Sequence, residues 1–306
     1  MAIPRKNVTN SERRNSIEKN LRREEEMISE FPDNPEYHLE KASNLIEMSL
    51  IEEFPNDMQD ILQIVHGNSS NLRGFDYKNS FLFRAIAEFD TAIKLKKDNL
   101  KYHILKAIYL EKVIIAVKLL KRASMGSLEG CILIPDVAGK EIIPDYLYDF
   151  IEHEILEEYD AAVALEKSEE MKFSRLHSKI GFVSRIMGPY AAKNEIERCI
   201  ELYPQASDFH YLKAMELIEI IKERTNVFGR GSNDTYKECL EECEKAIAIE
   251  PSKPSYHLLK GYVLNALDQP ADGNKEIDIS YKLGKDDDLF DLEKFQIDQA
   301  FRNLKI

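Results

Sequence analysis

One six-residue pattern returns along this chain, and an internal repeat constrains a fold more than any single motif does. It reads Tyr37-His38-Leu39-Glu40-Lys41-Ala42, then Tyr102-His103-Ile104-Leu105-Lys106-Ala107. It returns as Phe209-His210-Tyr211-Leu212-Lys213-Ala214 and Tyr256-His257-Leu258-Leu259-Lys260-Gly261. A degenerate copy centres on Lys179, and a weaker one, Phe290-Asp291-Leu292-Glu293-Lys294-Phe295, lies near the end of the sequence. Their lysines (41, 106, 179, 213, 260 and 294) are 65, 73, 34, 47 and 34 residues apart, which a 34-residue unit with three insertions explains.

A second pattern follows each of the first five copies. Ala85/Phe89/Ala92, Ile155/Tyr159/Ala162, Ala192/Ile196/Cys199, Cys239/Cys243/Ala246 and Gly273/Ile277/Ser280 are all spaced four and three apart. That spacing places each trio on one helical stripe. Mostly small residues at the outer positions let a neighbouring helix approach closely. Pro204 and Pro251 stand five residues beyond Cys199 and Ala246, where a helix should stop.

On these residues the units, over roughly 33–285, resemble tetratricopeptide repeats. His38/Ala42/Leu45, His103/Ala107/Leu110, His210/Ala214/Leu217 and His257/Gly261/Leu264 reproduce the bulky, small, large spacing of that family's first helix. The second-helix trios follow its small, aromatic, small pattern. His replaces the usual aromatic residue, Lys takes a place that is usually apolar, and Leu176, Ile180 and Val183 hold the first-helix places of the third unit. The resemblance implies an all-α solenoid: a right-handed superhelix of about five helix-turn-helix repeats with capping helices and long intra-repeat insertions. Residues 1–9 are expected to be a basic, flexible N-terminus, and 10–306 a single superhelical domain. Within it we expect a capping helix over 10–31 and a C-terminal one over 287–304 that covers the last repeat. Asn34 followed by Pro35 is a sound helix start.

The insertions fall in the turns between paired helices. Equivalent positions nine residues apart in units three and five are 40 apart in unit one (Leu45 to Ala85), 45 in unit two (Leu110 to Ile155) and 22 in unit four (Leu217 to Cys239). Residues 99–124 and 205–224 keep a helical rhythm past the normal turn. A short helix is expected at 55–66, and loops at 67–78, 125–144 and 225–233. Within 125–144, two apolar runs flank a Gly turn; packing against the extended helices is the favoured reading, a binding or gating tongue the other.

Charge and chemistry narrow the function. Forty-two Lys and Arg against 55 Asp and Glu give −13, which weighs against a general nucleic-acid backbone binder. No apolar run is long enough for a membrane span, and four Cys suit a reducing cytoplasm better than a disulfide framework. Residues 1–23 carry seven basic and two acidic residues and are read as a solvated head. The recurring His cannot share a metal between stacked helices about 10 Å apart. Each is therefore read as a bulky packing residue with a locally bonded edge, and each Lys as a stem covering apolar surface with its ammonium in water. Cys239 and Cys243 are read as core. The Gly-rich run 228–234 lacks the strand and Lys-Ser/Thr ending of a phosphate cradle, and Thr235 with Glu238 suggests a capping box. No catalytic constellation, metal site or cofactor is expected.

Carried over from the resemblance, the positions lining a peptide groove are Leu39, Ser43, Ile104, Ile108, His177, Gly181, Tyr211, Met215, Leu258 and Tyr262. They lack the Lys and Asn set with which some members clamp a chaperone's terminal carboxylate. An apolar, aromatic lining suits an extended or helical peptide, with Tyr211 and Tyr262 as anchors. The expected function is a non-enzymatic protein–protein interaction scaffold binding a partner protein or peptide. A ligand or peptide sensor gated by 125–144 is the alternative, and an enzyme with a deep polar site between repeats a third reading.

Overall fold

A computed structural model of the chain describes residues 10–54, 80–124, 145–228, 233–287, 289–302 and 304. Among them there is no strand. The helices, in order, are α1 (Asn10–Glu30), α2 (Pro35–Glu52), α3 (Phe81–Leu95), α4 (Leu100–Ser124), α5 (Asp145–Leu165), α6 (Glu169–Met187), α7 (Pro189–Leu202), α8 (Ser207–Phe228), α9 (Asn233–Ile249), α10 (Pro254–Ala266), α11 (Pro270–Leu283) and α12 (Phe290–Phe301). A single 3₁₀ turn, Gly284–Asp286, precedes α12. The fold is all-α and tetratricopeptide-like, with the paired helices α2/α3, α4/α5, α6/α7, α8/α9 and α10/α11 standing where the two sequence patterns place them. The chain forms two compact units, Met1–Arg175 and Leu176–Ile306, divided inside α6.

In the first unit α1 packs on α2, α2 pairs with α3, α4 pairs with α5, and α2 and α3 both meet α4. The stripe residues Ala42, Leu45, Ala85, Phe89, Ala92, Ala107, Leu110, Ile155 and Ala162 are fully buried. Burial of each Leu, Ile or Phe stabilises by about 1.5–3 kcal/mol. Asn34 caps α2 as read, its side chain accepting from the Glu36 amide at 3.1 Å, with Pro35 in the first turn. The insertions do separate paired helices, and α4 (25 residues) and α8 (22) outrun the 13-residue α10. The short helix at 55–66 and the loops at 67–78 and 125–144 lie outside the described residues. Residues 225–228, expected as loop, continue α8. Because α9 begins at Asn233, Thr235 lies inside the helix rather than at its cap, and Glu238 pairs with Lys193 and Lys213.

In the second unit α8 packs on α7 and α9, and α10 on α9 and α11. The small positions have a steric reason in α10 and α11. A Cβ on Gly261 would stand 2.8 Å from the Gly273 carbonyl oxygen, and one on Gly273 at 2.8 Å from that of Gly261. The two backbones approach until no side chain fits. Neighbouring first helices are also joined by hydroxyl bonds, Tyr102 Oη to Glu36 (2.9 Å) in the first unit and Tyr256 Oη to Asp208 (2.6 Å) in the second.

The last helix is docked differently from the earlier first helices. A first-type helix over 287–304 covering the final repeat is expected; α12 meets the last pair through α10 and through Tyr281 of α11, and it also lies against α8. The sixth copy of the pattern shows why. Its position equivalent to Ala42, Ala107, Ala214 and Gly261 is Phe295, too bulky for close approach, and Phe295 is 57% exposed. The helix instead buries Phe290, Ile297, Ala300 and Phe301.

Candidate functional site

The recurring His and Lys converge on a residue that the repeat analysis missed. Each His Nδ1 meets a glutamate of the paired second helix: His38–Glu88, His103–Glu158 and His210–Glu242 at 2.6 Å, and His257–Glu276 at 2.7 Å. The Lys three residues on reaches the other oxygen of the same carboxylate, at 2.8 Å for Lys41 and Lys106, 3.2 Å for Lys213 and 3.1 Å for Lys260. In the third hairpin Leu176 replaces the His, and Glu195 is held by Lys179 at 2.7 Å and by Arg198 of its own helix at 3.3 Å. The signal was in the sequence: a glutamate stands immediately before the middle residue of every second-helix trio, at 88, 158, 195, 242 and 276.

These bonds also correct the reading of the lysines as stems with heads in water. Lys106 is 3% exposed and Lys179 is buried, each with its ammonium paired. Nε2 of His38 and His257 faces the carbonyl oxygens of Pro32 and Pro251, both at 2.9 Å. Burial pushes the Glu158, Glu242 and Glu276 carboxyls upward, but the bonds from His and Lys outweigh it and hold them below the ordinary carboxylate range. Burial lowers the Lys106 ammonium, and the surrounding carboxylates reverse that and raise it.

Asp90, Glu154 and Glu158 bring carboxylate oxygens close enough together to suggest a cation site. The Lys106 ammonium already occupies their centre, at 2.7, 2.6 and 2.8 Å, so these three acids fit a built-in ammonium rather than a metal. Cys239 and Cys243 are buried free thiols, and Cys239 Sγ donates to the Ala214 carbonyl at 3.3 Å. A concavity at the turn after α3 is lined by Leu95, Lys96, Lys97, Asp98 and Asn99, which brings together no residues distant in sequence.

The expected groove positions fall into contrasting settings. In the first unit Leu39 is buried and Ser43 donates to the Leu39 carbonyl at 2.9 Å. Ile104 is half-buried, while Ile108 and Ile115 are each 44% exposed. In the second unit His177 stacks on Phe209, with ring centroids 5.4 Å apart. Gly181 is half-buried. Leu258 is fully buried, in one core cluster with Phe290, Ile297, Ala300 and Phe301, and Tyr211, Met215 and Tyr262 pack against that cluster. Tyr262 Oη donates to Asp298 of α12 at 2.7 Å, and its ring meets Phe301 edge-on at 5.3 Å. Lys253 pairs with Glu293 of α12 at 3.1 Å.

The chain's own last helix therefore covers the first helices at Tyr262 and its neighbours. The fit is incomplete. Tyr211 Oη and Glu293 Oε2 are buried without a hydrogen-bond partner in the protein, a cost of about 1–3 kcal/mol for each such group. Burial, with the Glu293 charge nearby, raises the Tyr211 hydroxyl pKa. Burial and the bond to Asp298 raise that of Tyr262.

No protein-family model matches this chain, and no curated protein matches it. Among solved structures it is similar to YrrB, a TPR protein described as having an unusual peptide-binding site, at 11% identity and a TM-score of 0.37 over 82% of this chain and 97% of that one. It is also similar to MamA, at 14% identity and a TM-score of 0.36 over 75% and 95%. Values this low carry nothing about function.

Proposed function

We propose that the protein is a non-enzymatic adaptor that recognises a segment of a partner protein through its first helices, in a reducing, cytoplasmic setting. In the first unit the contact positions are Ser43, Ile104 and Ile108, and in the second, separately, His177, Tyr211, Met215 and Tyr262, Leu39 and Leu258 being buried core. The observation that carries this reading is the apolar stripe of α4. Ile104, Ile108 and Ile115 share one helical face, with Glu111 between them accepting from the Tyr159 hydroxyl, and Ile108 and Ile115 are 44% exposed. In the second unit the corresponding face carries a helix already, which supports the same kind of surface accepting a helical segment. A sensor gated by 125–144 rests on residues outside those described. No helix among the described residues is long and apolar enough to cross a membrane.

Affinity capture from the native cell extract tests the proposal with the wild type and an Ile108→Asp/Ile115→Asp variant of unchanged helicity. A defined set of proteins retained by the wild type and lost from the variant is expected. The same set on both removes the reading.

A further inference from the structure

The place of α12 is not that of a finished core helix. It departs from the repeat register, because Phe295 stands where the other copies carry Ala or Gly. It is apolar on two faces: Phe290, Ile297, Ala300 and Phe301 turn inward, while Leu289, Leu292 and Phe295 are 57–60% exposed. A surface helix that belongs to one core normally turns polar residues to water. Its seat also leaves Tyr211 Oη and Glu293 Oε2 buried and unpartnered within one contact region.

We propose that α12 is a resident, displaceable ligand of the face formed by α8 and α10, and that an amphipathic helix of a partner protein takes its place. The inference rests on the adaptor reading above and names the occupant of its second-unit surface. The seat defines the chemistry of that helix. It carries large apolar residues spaced seven and four apart, as Phe290, Ile297 and Phe301 are, and carboxylates that meet Lys253 and the Tyr262 hydroxyl as Glu293 and Asp298 do. It also brings an acceptor to the Tyr211 hydroxyl, which α12 does not. Only residues 284–289 separate α11 from α12 in sequence, which keeps α12 at high effective concentration, so an incoming helix must fit better than the resident one. Gly284 sets the latch, since a Cβ there would stand 2.2 Å from the Phe290 ring.

The test titrates a fluorescent synthetic peptide with the sequence of residues 287–306 into full-length proteins. Ile297→Asp/Phe301→Asp empties the seat without altering it, and should bind the peptide at least about ten-fold more tightly than the wild type. Adding Met215→Asp/Tyr262→Ala should abolish that gain. Gly284→Val, which mutates no residue of the seat or of α12, should reproduce it and guards against a folding defect in the first variant. In the wild type, amides of 290–301 should exchange faster than those of α8 and α10. Equal affinity in the wild type, Ile297→Asp/Phe301→Asp and Gly284→Val, or α12 exchanging as slowly as α10, overturns the proposal. If that happens while Ile108→Asp/Ile115→Asp still loses its captured proteins, α12 is a fixed part of the core and the adaptor reading stands.

Discussion

The two units present the same register positions in opposite states. Ile108 of α4 is 44% exposed, whereas its equivalents Met215 and Tyr262 are half-buried and pack against a cluster that includes α12 residues. The difference does not lie in the hairpins, since both units carry the His–Glu–Lys arrangement with nearly the same distances. It comes from an added element: the second unit has a helix lying on its first helices. A first-helix face in this architecture is thus a surface that takes a helix, and its state depends on what lies against it rather than on the repeat itself.

The largest expected effect separates the polar networks of the two units. Lys106→Ala leaves Asp90, Glu154 and Glu158 without the ammonium between them and should cost about 3–5 kcal/mol, as breaking a buried ion pair does. Lys260 is more exposed, and Glu276 keeps His257, so Lys260→Ala should cost about 1 kcal/mol. Hydrogen exchange in α4 and α5 against α10 and α11 reads both, and the reverse order would break the comparison.

Packing comes next. Ala is accommodated at position 107 of the first unit, but its equivalent Gly261 has a carbonyl 2.8 Å from where the Cβ would be. Gly261→Ala should therefore destabilise α10 and α11 by about 1–3 kcal/mol through overpacking. Ala107→Gly should cost about 1 kcal/mol through helix propensity. Equal protection losses in the two hairpins would remove the steric account.

A pH titration sharpens the contrast within the first unit. Glu24 of α1 is buried and bonded to Asn44, with Glu40, Arg23 and Lys41 around it, and burial raises its pKa to about 7. A raised carboxyl binds its proton more tightly in the folded state. Its stabilisation is full below an ordinary carboxylate pKa of about 4.3 and fades as pH rises through about 7. Glu158 has the opposite sign: its pKa is lowered, so its contribution is present above that ordinary value and is lost as pH falls through the depressed one. Exchange in α1 should accelerate between pH 5 and 8 and flatten in Glu24→Gln, while α4 and α5 loosen only in acid. An unchanged α1 profile in Glu24→Gln rules out this assignment.

The smallest effects lie at the α12 seat and differ in sign. Tyr262→Phe loses the bond to Asp298 and should weaken α12 by about 0.5–1.5 kcal/mol. Tyr211→Phe removes a buried hydroxyl that has no partner and should leave α12 equally or more protected. Loosening of α12 in Tyr211→Phe would mean that the hydroxyl is satisfied after all.

The helix pairs were legible because their patterns are local: a four-and-three spacing is a helical face wherever the chain goes. So were the three interrupted turns, since register arithmetic needs no contacts. The glutamates were equally visible, standing at one register place in all five second helices. Apolar spacing alone does not reveal them, because a glutamate beside a helical stripe is the ordinary mark of a solvated face, and only the pairing of the two helices brings it to the His and Lys. The seat of α12 was harder to see. Phe295 at a small-residue place announces that the last copy cannot dock as the others do, but where a misfit helix then settles depends on the surface offered by α8 and α10, which no single segment encodes.

The bonds from His and Lys to glutamate close each hairpin on itself, whereas the Tyr102 and Tyr256 hydroxyls reach across to the neighbouring first helix near its N-terminal end. Within each unit, then, a hairpin is bonded internally by its carboxylate and tied to a neighbouring first helix by a hydroxyl. Under tension in single-molecule pulling, each unit should lengthen in hairpin-sized increments.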